Sequence, residues 1–189
     1  MAVKHFVNST LREKVVEHVF VGDALRLLWK NEVLNVEVLR SEFDAYGYDL
    51  VMARDKIVRH IQFKTGRSNK PAGVSVAQTL GKKPSGCVIW IRVTDKLEMG
   101  PYFWFGDKPG KPLPDIDKYE VPLRPTYNKA GVRPPRPNHR LIPKHGIHKV
   151  GDIGKCSYKA VWGAPALTTF FHRLICNLKH HYPRLEQEW

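Results

Sequence analysis

A carboxylate, an amide oxygen and an ammonium group stand at positions from which they could act on one ligand: Asp49, Gln62 and Lys64. An acid beside a neutral oxygen can hold a hard cation, and a lysine next to them can stabilise negative charge developing on a bound anion. A hairpin would bring the three together. The apolar stretch Tyr48 to Ala53 is interrupted by Arg54-Asp55-Lys56, which reads as a strand followed by a turn. From Ile57 to Thr65 the side chains alternate, so that Ile57, Arg59, Ile61 and Phe63 share one side and Val58, His60, Gln62 and Lys64 the other. Closure over Asp55-Lys56, or over the four residues Arg54 to Ile57, gives the same register and sets Asp49 opposite Gln62. Lys64 is then a diagonal neighbour, roughly 7–8 Å away by Cα spacing. The Ile61/Phe63 side is expected to pack inward. A solvated strand face bearing ordinary polar residues is the plain alternative.

The flanking elements must hold this hairpin in place. Asn8-Ser9-Thr10 offers N-cap oxygens, and Glu13 completes a capping-box spacing from Thr10, so a helix is expected to start there. Its apolar stripe is expected to be Leu11, Val15, Val19, Leu25 and Leu28, with Gly22-Asp23 as a kink or a break. Glu17 falls off that stripe and could lean over the hairpin patch, or be a surface carboxylate. Asn35 to Arg40 predicts a first strand, and Gly47 permits a tight turn into the second. Glu42 and Asp44 could add a ligand but fit turn and loop positions better. Val74 to Leu80 reads as a short helix, Gly86 to Thr94 as a buried strand, Tyr102 to Phe105 as a further strand, and Pro165 to Lys179 as a closing helix.

The arrangement Asp49-x12-Gln62-x-Lys64 resembles the core motif of the PD-(D/E)XK nuclease superfamily, in the variant where Gln replaces the second acid, as in Mrr-like restriction endonucleases. The order helix, three meandering strands, helix, strand over residues 10 to 106 matches that superfamily's common core. The resemblance implies a restriction-endonuclease-like α/β domain with a mixed sheet of about four or five strands flanked by helices. It implies a metal-dependent nuclease cutting phosphodiester bonds, with DNA the favoured polymer. Mg²⁺ or Mn²⁺ would be held by Asp49, Gln62 and Glu17, an acid from the first helix often joining the metal site in the superfamily. Lys64 would stabilise phosphate charge or position the attacking water. The neutral Gln62 weakens metal affinity relative to an acid and makes a ligand from outside the hairpin more necessary.

Lys and Arg number 31 against 18 Asp and Glu, a net charge of +13 that suits a polyanion such as nucleic acid. Between Val121 and Gly151 there are no acids but seven Lys or Arg, three His and six Pro, which predicts a stiff cationic loop or arm. Arg133, Arg136, Arg140 and Lys144 in it, with Arg67 and Lys70 in the basic loop after Lys64, are the expected phosphate contacts. The 189 residues are expected to form one domain: a core over 10–106, the arm over 107–151, and a C-terminal strand and helix over 152–189 packing on the core. No long apolar run or signal-peptide core occurs, so no membrane partner is expected. Cys87, Cys156 and Cys176 lack CxxC pairing, which fits a reducing cytoplasm without a disulfide framework. His139, His145 and His148 match no zinc-ligand spacing. The oligomeric state stays open, a homodimer included. A binding protein on the same fold with a degenerate site is the alternative to an enzyme.

Overall fold

In this computed structural model, residues 8–43, 46–154 and 156 are described. The chain forms helix α1 (Ser9–Lys30), strands β1 (Glu37–Arg40), β2 (Leu50–Arg54), β3 (Ile57–Gly66) and β4 (Gly73–Ala77), the one-turn helix α2 (Gln78–Gly81), then β5 (Gly86–Val93), β6 (Met99–Gly106), β7 (His139–Pro143) and β8 (His148–Gly151). β1, β2 and β3 meander antiparallel, and a crossover through β4 and α2 returns β5 parallel to β3. The result is a six-stranded mixed sheet in the order β1-β2-β3-β5-β6-β8, with β4 and β7 forming a separate antiparallel ribbon. The fold is therefore mixed α/β. One strand more than expected enters the sheet because β8 comes from the acid-free segment, where Pro-rich sequence had pointed to loops.

Strand periodicity divides two cores. Along β5, Cys87, Ile89, Ile91 and Val93 pack in a cluster with α1, while Val88 and Trp90 pack in the cluster formed with β4 and β7. Such a strand, buried on both sides, reads as the continuous apolar run seen at 86–93. α1 contributes Val16, Phe20, Val21, Ala24 and Leu28 to its side, spaced largely four apart, and Phe20 meets Phe63 edge-on with ring centroids 4.9 Å apart. Each such side chain, fully buried, contributes about 1.5–3 kcal/mol.

This buried face is rotated from the expected one. Leu11, Val19 and Leu25 are exposed, whereas Glu17 lies on the buried face. The residues Val15 to Val21 are apolar on nearly every side, so they support two stripes, and tertiary packing chose the second. α1 runs unbroken through Gly22-Asp23, and its N-cap, Asn8, makes no side-chain cap bond. Val74 to Leu80 is also corrected: its first half is β4, whose alternating Val74 and Val76 pair with Ile142 and Arg140 of β7, and only Gln78–Gly81 turns helically. Pro165 to Lys179 and Asp44 lie outside the described residues.

Candidate active site

The expected hairpin register is the observed one. Arg54 pairs with Ile57 and Leu50 with Ile61, so the loop is the two-residue Asp55-Lys56, with Asp55 at φ 53°. β2 stops at Leu50, but β3 continues to Gly66, so the two strands part where Asp49 stands. There Asp49 is caught twice on β3: its N–H donates to the Ile61 carbonyl (2.9 Å), and its Oδ2 accepts the Phe63 N–H (2.7 Å). The carboxylate thus substitutes for a backbone carbonyl at the mouth of the split, and a charged acceptor makes that bond a strong one.

Gln62 and Lys64 follow on β3, paired with Val88 and Trp90 of β5 and sharing their side of the sheet, away from α1. Gln62 is buried, 6% exposed, and its Oε1 accepts no hydrogen bond. An orphaned buried acceptor of this kind carries a desolvation penalty of about 1–3 kcal/mol. Gly47 closes the site above it. Its φ of +73° is one few side chains adopt, and an added Cβ would meet the Ala77 Cβ at 2.5 Å, Thr79 Oγ1 at 3.5 Å and Gln62 Nε2 at 3.6 Å. The end of β4 therefore forms the wall of the site.

Glu17 stands on the other side of the sheet. Its Oε1 accepts from Arg40 Nε at 2.7 Å and its Oε2 from Lys14 Nζ at 3.0 Å, with the carboxylate 6% exposed. Arg40 is the partner of Leu50, so this ion-paired acid flanks Asp49 through one strand position but does not share the face of Gln62 and Lys64. Glu42 is exposed. Among the described residues no group of three His, Cys, Asp or Glu side chains is gathered as a metal cage. The oxygens at the split, a carboxylate and a buried orphaned amide, fit a hard cation that keeps most of its water; Glu17 could join only by giving up its ion pairs.

Several residues near the split went beyond the sequence expectation. Tyr48 meets the His60 ring edge-on at 5.0 Å, and Lys83 Nζ lies 3.8 Å from the centroid of the Tyr46 ring and 5.7 Å from that of Tyr48. His60 Nδ1 lies 3.0 Å from the Pro84 carbonyl, which can only accept, so this nitrogen carries the proton. Burial first, and the nearby Lys83 charge, hold the His60 pKa below its ordinary value against the raising effect of that carbonyl. The Tyr46-Gly47-Tyr48 triplet, two aromatics around a glycine, was the signal available.

The expected phosphate contacts differ in how they are held. Arg67 pairs with Asp95 at 3.1 Å, an exposed pair of small energetic weight. Lys70 and Lys144 are exposed. Arg140 donates to the carbonyls of Pro137 and His139 and sits 3.9 Å from Asp117, so it braces the start of β7. Arg133 donates to the Arg124 carbonyl at 2.8 Å, and Arg136 to His139 Nε2 at 2.8 Å. The arm itself is a narrow hairpin. Arg124 N–H reaches Pro134 O, Arg136 N–H reaches Pro122 O, and Asn128 Oδ1 accepts from Ala130 and Val132 at the tip. His139, His145 and His148 do not form a metal group among the described residues. No described helix is long and apolar enough to cross a membrane. The chain matches no family model, no curated protein and no solved structure.

Proposed function

We propose that the chain is a metal-dependent nuclease that hydrolyses phosphodiester bonds of nucleic acid, with DNA as the polymer. The observation that carries this reading is the split between β2 and β3, where the register sets Asp49 opposite Gln62 with its orphaned oxygen, and Lys64 follows on the same side as Gln62. Helix, three-strand meander, crossover and parallel strand, in that order, support a restriction-endonuclease-like core. The net charge of +13 supports a polyanionic substrate.

Asp49 and Gln62 would hold Mg²⁺ or Mn²⁺, which when bound supplies Lewis-acid polarisation of the phosphate and an acidified water. Asp49 is oriented for this before any ligand arrives, because the Phe63 N–H fixes its Oδ2. Lys64 supplies positive charge where the phosphate accumulates negative charge, a service that grows as water is excluded. Burial of Gln62 keeps its carboxamide from turning away into solvent. Glu17, ion-paired to Arg40 and Lys14, fixes the strand position beside Asp49. These ion pairs favour the second reading, a nucleic-acid-binding protein with a degenerate site, since they occupy the acid a full metal shell would recruit.

Asp49→Asn is the decisive variant, because its amide oxygen still accepts the Phe63 N–H while the ligating charge is lost. With Mg²⁺ or Mn²⁺ and DNA and RNA in several forms, the native protein should cut and Asp49→Asn and Lys64→Ala should not, all three melting alike. Mobility shift without cutting by the native protein selects the binding reading. Undiminished cutting by Asp49→Asn discards the site.

A further inference from the structure

At the foot of the arm, Arg124, Thr126, Arg136, Asn138 and His139 line an open cleft of about 420 Å³. Among the described residues no acid contributes to its lining. Asp117 accepts from Gln78 Nε2 at 2.6 Å and faces Arg140 of β7. The Arg124 guanidinium makes no hydrogen bond or ion pair among the described residues, whereas Arg136 is fixed by its bond to His139. Both arginines belong to the paired rungs of the hairpin, so their backbones are set. Two guanidiniums with fixed backbones and no counter-charge among the described residues favour an anion with several oxygens, and a phosphate fits their planar donor forks.

The cleft also adjoins the split between β2 and β3. His139 is the β7 partner of Ala77, and Ala77 is the residue against which Gly47 packs. Lys129 and Arg133 continue the positive charge toward the arm tip. We infer that the cleft is a phosphate subsite for the backbone of a bound polynucleotide, through which the arm steers the strand toward the Asp49 site. The subsite rests on nucleic acid being the ligand, as in the preceding reading, but not on cleavage.

The test is anisotropy of a labelled DNA oligonucleotide with the full chain, in chelator and without divalent metal. Arg124→Gln/Arg136→Gln should weaken binding at least about tenfold and flatten the salt dependence by about two counterions, because each lost phosphate contact removes a slope of about 0.9. Lys108→Gln/Lys111→Gln, which removes equal charge from the loop after β6, should leave the slope nearly unchanged. Should the pocket pair melt below the native protein, Arg124→Gln alone, whose side chain makes no bond among the described residues, carries the test with about half the change in slope. Equal losses in the pocket pair and the control pair overturn the subsite in favour of diffuse attraction. Inorganic phosphate binding that depends on Arg124 while oligonucleotide binding does not overturns the polynucleotide as its source. Failure of the oligonucleotide to bind at all also overturns it, yet leaves metal-dependent hydrolysis of a small aryl phosphodiester, which needs only Asp49 and Lys64, as a separate readout of the nuclease reading.

Discussion

β3 buries two polar side chains three residues apart, and they have opposite surroundings. Arg59 is fully enclosed on the α1 side, its guanidinium 5.4 Å from the Trp104 ring centroid and bonded to the Asp107 carbonyl at 2.8 Å, with Nε and one terminal nitrogen left without partners. Gln62 points to the opposite side, next to Asp49, with its oxygen left unbonded. Both cost the fold stability. The difference lies in what stands near them: Arg59 is sealed in beside Cys87 and an aromatic ring, with burial lowering its pKa, whereas Gln62 sits where two strands separate beside an acid. An unmade bond in a sealed interior is a structural cost, while the same deficiency at the mouth of a strand split is a place for a ligand.

That contrast can be broken by substitution. Gln62→Leu should reduce metal-dependent cleavage by about a hundredfold or more, the usual consequence of removing an oriented group at a charge-bearing site, without lowering the melting temperature. A cleaving Gln62→Leu would put Gln62 in the same class as Arg59. Arg59→Met should keep cleavage and raise stability by about 1–4 kcal/mol in urea titration, since it removes a buried charge at similar volume; a loss of activity at full stability would make Arg59 part of the site. Gly47→Ala should cost roughly 1–2 kcal/mol for its left-handed backbone, with more from the contact at Ala77, and should depress cleavage because the wall at β4 must move. Unchanged activity there would detach β4 from the site.

The smallest effect is a pH dependence. Because the folded-state pKa of His60 lies below its unfolded value, its contribution to stability is full above the ordinary histidine pKa of about 6.5 and is lost as pH falls from there through the folded pKa. His60→Gln should flatten the fall in stability between about pH 7 and pH 5. Native and variant curves that stay parallel would assign the slope to other groups. On the α1 side, burial pushes the Cys87 thiol up to about 12, so alkylation in the native state should be slow at neutral pH.

How much of this was legible depended on whether the signal was local. The hairpin register could be read because a two-residue turn and strict alternation over Ile57 to Thr65 fix it without help from the rest of the chain. The same alternation put Arg59 on the inward side, so its burial was implicit. β4 was misread because its partner, β7, lies more than sixty residues on, and a short apolar run does not declare its period. Glu17 was assigned to the wrong face because Val15 to Val21 offers two stripes, and only packing against the sheet selects between them. Arg124 was legible only as one of seven arm cations and His139 only as a histidine without zinc-ligand spacing, because the cleft they share exists only once the arm folds back as a hairpin.

The Asn128 carboxamide, by tying down the N–H groups of Ala130 and Val132, braces the arm tip before any partner arrives. Ordering of that segment is therefore completed when the protein folds and does not recur at each encounter. Association should then be limited by collision and charge steering, giving fast capture that slows steeply as salt rises, with little of the lag that a rearranging loop imposes.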